Sequence, residues 1–590
     1  MTKGSQAIKF GTWMRDNRQA TWTSSNYNAS FSFPSVPDYS GAMNEFYNGT
    51  PCPAANTSTT IYCGSVNAPN KLTYTTGPNA FAGNVFDAAL FFQDDWKYKP
   101  YLTLSGGLRW ETQNHVADHN DWGPRFAFAY ALDGHKKGTV SKTVLRGGVG
   151  FFYDRFSIGN FMDLVQYDIN PLKSQTQTVI INPTCFNPTD FSAINPATCG
   201  SGNAVDSQVY TVTPSYHAPY TEQFGASLER QVTKSATMTV TYLHSFGVHQ
   251  LVVRNANAYL PGTYLFGQPP PERPLTTPTN NLGIVDQYFP QAVFKQNQVI
   301  VNINARFTRN LSVTGFYNWT DANSDGGAGS NPSNSYNLSQ DYGRAAFVRP
   351  QSFVLIGNYN GPWALSFNPF LNFQAGRPFN ISTLNDLTGD NFFNSRPSYA
   401  SLSDCGPTSG PNASQYALTS FGCLDTIPQA GEAPVLPNIG NSPSAFAMNL
   451  RISRAFGIGP EVEPSGAASS GRGGPGGGPG GFGGGGFGGP GGGGGGRGGG
   501  GFGGGGGMRG GMSNTGRKYS LTFSVQAQNI FNNINLGTPS GSVSPTWNKA
   551  TGLTGPGSRF DTSTSLASGF FASPSGSAAR RIYLQAFFTF

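Results

Sequence analysis

The feature that most narrows the fold is a two-residue alternation, recurring in segments of about ten residues, the length of a tilted strand that crosses a bilayer. Leu102, Leu104, Gly106, Leu108 and Trp110 share one face, and Thr103, Ser105, Gly107, Arg109 and Glu111 share the other. Val299, Val301, Ile303, Ala305 and Phe307 likewise oppose Ile300, Asn302, Asn304, Arg306 and Thr308. Leu311 to Thr320, Leu365 to Gln374 and Tyr519 to Gln528 repeat the pattern. A soluble β-sandwich also alternates. Three things separate the two cases: the segment length, an inner face that is polar yet mostly uncharged, and aromatics gathered near segment ends. Phe91, Phe92, Trp96, Tyr98 and Tyr101 cluster around one turn, as an interfacial girdle would. Composition agrees. Charged residues make up 11% and mean hydropathy is −0.31, whereas soluble domains carry about 25% charge. Apolar runs such as Ala88 to Phe92 fall far short of the roughly 18 residues a spanning helix needs.

These observations predict an all-β chain, a transmembrane antiparallel barrel of about fifteen strands. The segments are 5–14, 20–33, 84–98, 100–112, 123–133, 142–154, 219–231, 235–246, 296–308, 310–320, 350–360, 362–375, 446–457, 517–530 and 580–590. Counted back from the C-terminus, the long connections 531–579, 376–445, 321–349, 247–295, 155–218 and 34–83 fall on one side. The other side has mostly tight turns. Outer-membrane barrels have this asymmetry, with long loops outside. On this count the first strand begins outside and runs inward. An open sheet edge in lipid is costly, so the expectation is a partial barrel over 1–590 with strands upstream. No apolar leader follows Met1.

The six cysteines form three local pairs, Cys52 with Cys63, Cys185 with Cys199 and Cys405 with Cys423, each in a loop rich in Pro, Asn, Ser and Thr. None has zinc-site CxxC spacing. Local disulfides that staple exposed loops are the expectation, with free buried thiols as the alternative. Both readings stay open at this point. At the other end of the chain, Ile582, Leu584, Ala586, Phe588 and Phe590 form an unbroken apolar face that ends in phenylalanine. This resembles the C-terminal assembly signal that the barrel-insertion machinery reads as an added strand.

Ordered phrases along the chain resemble a known family. FFQDDWKYKPYLTLSGGLRWE (91–111), GPRFAFAYAL (123–132) and KTVLRGGVGFFYDRF (142–156) are similar to consecutive strands of TonB-dependent outer-membrane receptors, and more closely to the Oar-like receptors of acidobacteria. SLERQVTKSATMTVTYLHSFGVH (227–249), VNINARFTRNLSVTGFYNWTDAN (301–323) and SVQAQNIFNNINLGTP (524–539) continue it in order. The resemblance implies a barrel of about 22 strands with a plugged lumen, in the outer membrane of a Gram-negative type bacterium. It implies uptake of an unidentified ligand, captured by outer loops and passed along polar lumen residues such as Arg109, Asn302, Asn304 and Arg306. Implied partners are outer-membrane lipid, the barrel assembly machinery, and the TonB complex through an N-terminal plug region not recognisable in these residues. The alternative is a surface scaffold or adhesin barrel that does not transport.

Residues 465–513 form a glycine-rich insertion punctuated by Arg472, Arg497 and Arg509. Its arginines are too sparse for a nucleic-acid footprint, despite a net charge of +7. The expectation there is a flexible insertion and no nucleic-acid partner. His115, His119, Asp118 and Asp121 read as loop polarity rather than a metal site. No Walker loop, nucleophile elbow or HExxH appears, so neither an enzyme nor a cofactor is expected.

Overall fold

The computed structural model describes residues 2–590 except 34–35, 49–68, 134–140, 171–172, 182, 184, 191–198, 200–204, 267, 269–270, 276–282, 328, 384, 406–414, 430, 462–516, 549–552, 558 and 568–578. Alternating segments become long strands because a period of two lets each strand send apolar side chains one way and polar ones the other. Each backbone group then bonds to the next strand. The strands are β1 (Gln6–Trp22), β2 (Ala80–Lys99), β3 (Leu102–Gln113), β4 (Asp121–Ala131), β5 (Thr143–Tyr153), β6 (Tyr220–Thr233) and β7 (Ala236–Asn255). They continue as β8 (Ile284–Arg306), β9 (Leu311–Ser324), β10 (Gln351–Asn360), β11 (Leu365–Gln374), β12 (Ala445–Glu461), β13 (Arg517–Gln528) and β14 (Arg581–Thr589). Each pairs antiparallel with the next in sequence. The result is one continuous meandering wall.

Register carries the alternation across the wall. Tyr242 lies opposite Val299 and Val299 opposite Trp319, while Val301 joins Val240 to Tyr317. Farther on, Phe367 faces Ile452, Ile452 faces Val525 and Val525 faces Leu584. This face leaves large apolar side chains open: Phe92, Phe126, Phe224, Phe523 and Leu584 are each more than 40% exposed. A water-soluble sheet would cover such a surface; lipid covers it in a membrane barrel. Trp96 and Tyr98 meet edge to face at 4.9 Å near the short-turn end. Phe91, expected in the same girdle, points the opposite way, with its ring against Gly11. It stands one residue out of phase with Phe92, and strand parity allows no other placement.

Segments 5–14 and 20–33 are not two strands with a turn at 15–19. β1 runs unbroken through that stretch, paired to β2 from Gln6↔Trp96 to Trp22↔Ala80, and a short strand follows at Ser30–Ser32. The stretch Arg15-Asp16-Asn17-Arg18-Gln19 is polar, but it holds neither Gly nor Pro, and its charges find cross-strand partners. Arg15 bonds to Asp87 at 2.8 Å, and the Asn84 amide donates to Asp16 at 2.9 Å. Fourteen long strands result among the described residues. β1 therefore runs outward from the short-turn side, where β14 also ends, and the odd-strand parity inferred from sequence disappears. Among the described residues β14 pairs only with β13, and no pairing joins β14 to β1.

The long connections build upward from the wall. Lys71–Thr76, Thr176–Ile181 and Val205–Val212 form a side sheet that attaches in parallel to the first residues of β8. The β11–β12 and β13–β14 connections share a small core of Ile381, Leu424, Val435, Val543 and Phe560. No helix among the described residues is long and apolar enough to cross a membrane.

Charge placement gives a direct test. Val301→Arg on the apolar face is expected to cost about 2–4 kcal/mol, whereas Asn302→Arg, one residue along, should cost well under half of that. Denaturant unfolding of the protein in lipid vesicles measures both. Equal penalties would contradict the facial assignment.

Candidate functional site: the loop-side mouth

Charge on the polar face of β1 to β6 forms paired groups, the largest of them towards the long-loop end. Asp87 is fully buried, bonded to Arg15 and to the Gln113 amide, both at 2.8 Å. Gln113 reaches back to the backbone of Phe156, donating to its carbonyl at 2.8 Å and accepting from its N–H at 3.0 Å. Arg155 pairs with Glu111 at 2.6 Å, and Arg109 pairs with the same carboxylate. Arg146 and Glu229 join β5 to β6 at 2.7 Å. Nearly every one of these ions has a partner, so the network fixes the wall and the root of the β5–β6 loop together.

That loop folds back over the wall. Helix α1 (Ile158–Gln166) starts where the Ser157 hydroxyl accepts the Asn160 N–H, capping its first turn. Phe161 and Met162 of α1 press on Gly83 of β2, where a Cβ would collide with the Phe161 ring. Only glycine admits the helix so close. Phe156, Tyr216, Leu251, Val253 and Tyr288 form the apolar cluster beneath, and the Tyr288 hydroxyl donates to Asp163 at 2.6 Å. Burial raises the Asp163 carboxyl above the ordinary range.

A second junction ties three loops together. The Asn255 carboxamide oxygen accepts the N–H groups of Asn257 and Val285, while its amide donates to the Asp390 carbonyl. The Asp390 carboxylate accepts from the backbone N–H and the hydroxyl of Ser335. Asp386 gathers the N–H groups of Thr388, Gly389, Asp390 and Asn391. Burial raises both carboxyls, and for Asp390 the charge of Asp386 adds to it. The β7–β8, β9–β10 and β11–β12 loops are thereby held as one body.

The sequence-predicted residues are placed as follows. Cys185–Cys199 and Cys405–Cys423 are bonded, with Cα–Cα distances of 4.9 and 5.9 Å, both on the long-loop side. Cys52 and Cys63 lie outside the described residues, as does the whole of the 465–513 tract. Arg109 lies in the network above. Asn302 and Asn304 occupy the polar face of β8, and Arg306 stands at the short-turn end, donating to the Arg309 carbonyl at 3.2 Å. His115, His119, Asp118 and Asp121 do not converge. His115 stacks on Phe161, His119 meets the Thr112 hydroxyl, and Asp118 turns to His217. Among the described residues no group of three such donors could hold a metal. Sequence reasoning missed Asn255, Asn257, Ser335 and Asp390. Their only signal was an excess of Asn, Asp and Ser just beyond strand ends, which every loop of this chain shares.

This architecture, a lipid-facing antiparallel wall with built loops on one side, defines an outer-membrane barrel. The chain belongs to the family described as outer membrane beta barrel domain, whose model matches residues 1–120 and 114–463, and it resides in the outer membrane of a Gram-negative type cell. Comparison with curated proteins gave no match. Among solved structures, the chain is similar to the outer membrane transporter YddB from Escherichia coli (11% identity, 94% of this chain and 51% of that one, TM-score 0.44). It is similar also to the ferric enterobactin receptor PfeA from Pseudomonas aeruginosa (9% identity, 99% and 51%, TM-score 0.41) and to the siderophore receptor PirA from Acinetobacter baumannii (9% identity, 83% and 51%, TM-score 0.36). The chain spans about half the length of these proteins.

Two outcomes test the loop junction. Asn255→Ala leaves the buried Asn257 and Val285 N–H groups without their acceptor, at about 1–3 kcal/mol each. Hydrogen exchange in 256–275 and 385–395 should quicken at least tenfold, with the strand ladder between β9 and β10 unchanged; unchanged exchange in the loops would refute the junction. The second outcome is pH dependence. A carboxyl whose folded pKa is raised binds its proton more tightly in the fold, so its contribution is full below the unfolded value of about 4 and is lost as pH rises through the folded one. Exchange at the Asp390 loop should therefore slow between pH 7.5 and 5 once corrected for intrinsic rates, and Asp390→Asn should weaken that dependence to the part carried by Asp386.

Proposed function

We propose that the chain is the barrel wall of a TonB-dependent receptor, taking up a ligand across the outer membrane. The observation that carries the reading is the mouth itself. Loops of the long side are braced by buried polar junctions and folded back over a polar wall, an arrangement that shapes an entrance. Among the described residues β1 and β14 each pair with one long strand only, which supports completion of the wall by further strands, to about 22 in all, since open edges are not tolerated in lipid. Resemblance of the strand phrases to Oar-like receptors supports the same reading. In it, Arg109, Asn302 and Asn304 line the lumen and the TonB complex acts through a plug region. The disulfides Cys185–Cys199 and Cys405–Cys423 stiffen the outer loops.

The test is uptake. Outer-membrane vesicles or cells carrying the receptor are incubated with growth-medium extract, and the compounds retained are identified by mass spectrometry. Accumulation that stops when the proton gradient is collapsed is the expected result. Binding with no gradient-dependent entry would favour the scaffold alternative.

The chain's last strand gives an independent check. Leu584 and Phe590 are 81% and 93% exposed, which suits a strand read by the barrel assembly machinery. Deleting Phe590 should lower the heat-modifiable, folded form in the outer-membrane fraction at least several-fold. An undiminished folded yield would remove the assembly role.

A further inference from the structure

The three loops fixed at Asn255 and Asp390 enclose a cavity of about 420 Å³, a size typical of small-molecule sites. One wall is an aromatic block. The Tyr259 and Tyr264 rings lie parallel, 9° apart in plane with centroids 5.2 Å apart, and the Arg273 guanidinium lies over Tyr259 at 4.3 Å. Gly389, at φ +69°, abuts both rings, so that a Cβ there would overlap them. Tyr336 closes a second side, its hydroxyl donating to the Ala258 carbonyl at 2.7 Å. Because each ring is held by a named contact, the wall exists before any ligand arrives, and its ordering cost is already met.

Electrostatics then narrows what fits. Among the described lining residues there is no lysine or arginine, and Arg273, stacked on Tyr259, donates to the Asn257 and Gly389 carbonyls. An anion entering it would leave water without finding a counter-charge, a cost of several kcal/mol. The single carboxylate among the described lining residues, Asp390, is fully buried and already accepts from Ser335 and from the Phe392 N–H. Its raised pKa leaves it still less able to hold a cation. What remains are carboxamides, Gln268, Asn334 and Gln429, which both donate and accept. Beside them, exposed Leu260, Leu265 and Phe266 form an apolar rim.

A ring with one C–H face and a hydroxyl-bearing edge matches both surfaces at once: the face packs on tyrosine and leucine, the edge meets the amides. We propose that this cavity binds a short neutral saccharide. The site names the ligand class for the receptor reading above and rests on that reading only for its place in uptake, because binding itself needs no transport.

The full chain in detergent micelles is titrated calorimetrically with cellotriose, maltotriose and xylotriose, and with trigalacturonate as the anionic counterpart. At least one neutral trisaccharide should bind with Kd below about 1 mM, and trigalacturonate at least tenfold more weakly. Tyr264→Ala and Gly389→Val should each weaken the neutral sugar tenfold or more. Gln429→Ala, which leaves the aromatic block intact, should weaken it several-fold while the heat-modifiable band confirms folding. Absence of binding by all three neutral sugars, equal binding of trigalacturonate, or folded variants that bind as the parent does would overturn the proposal. Saccharide binding without gradient-dependent uptake would sink the receptor reading alone. Gradient-dependent uptake of another compound, with no saccharide titration, would sink this inference alone.

Discussion

Everything in this molecule depends on the strand-to-strand hydrogen-bond ladder. In hydrocarbon there is no water to satisfy an orphan N–H or C=O, and each one left unpaired costs several kcal/mol. Neighbouring strands therefore have to meet along their membrane length, in sequence order and with few interruptions. The ladder in turn fixes parity. Once Val301 faces Val240 and Tyr317, every other residue on those strands is committed to lipid or to the polar interior. A one-residue slip would exchange the two faces.

Parity also explains where polarity can accumulate. The interior of the wall tolerates Arg15, Asp87, Arg109, Glu111 and Arg155 because these charges pair within a few ångströms of one another. Above the membrane the constraint changes. β7 and β8 extend far beyond the span, to Asn255 and back from Ile284, and carry the loops on rigid stems. There water is present, and the loops are ordered by side chains instead: Asn255, Asn257, Asp390 and Ser335 do for the loops what the ladder does for the wall.

Much of this was legible from the sequence, for a physical reason. Alternation is local, so Leu102 to Glu111 or Val299 to Thr308 declares its two faces without knowledge of any partner. The asymmetry of loop length followed directly. Polarity from Arg15 to Gln19 resembles a turn, but its partners, Asn84 and Asp87, lie some 70 residues away in the chain, and nothing local announces them. Phe91 clusters with the girdle aromatics in sequence, yet strand parity turns its ring the other way, against Gly11. The loop junction and its cavity were illegible for a similar reason. Asn255 ends β7 while Ser335 and Asp390 come from two separate loops, and only the folded wall brings them together.

The central claim is that one face of each strand touches lipid and the other a wet interior. Spin labels placed singly at residues 299 to 306, with the protein in vesicles, report contact with oxygen (lipid-soluble) and with a nickel chelate (water-soluble). The account predicts oxygen maxima at 299, 301 and 303, nickel maxima at 300, 302 and 304, and a strict two-residue period. Uniform low accessibility to both reagents, as in the core of a soluble globule, would contradict it.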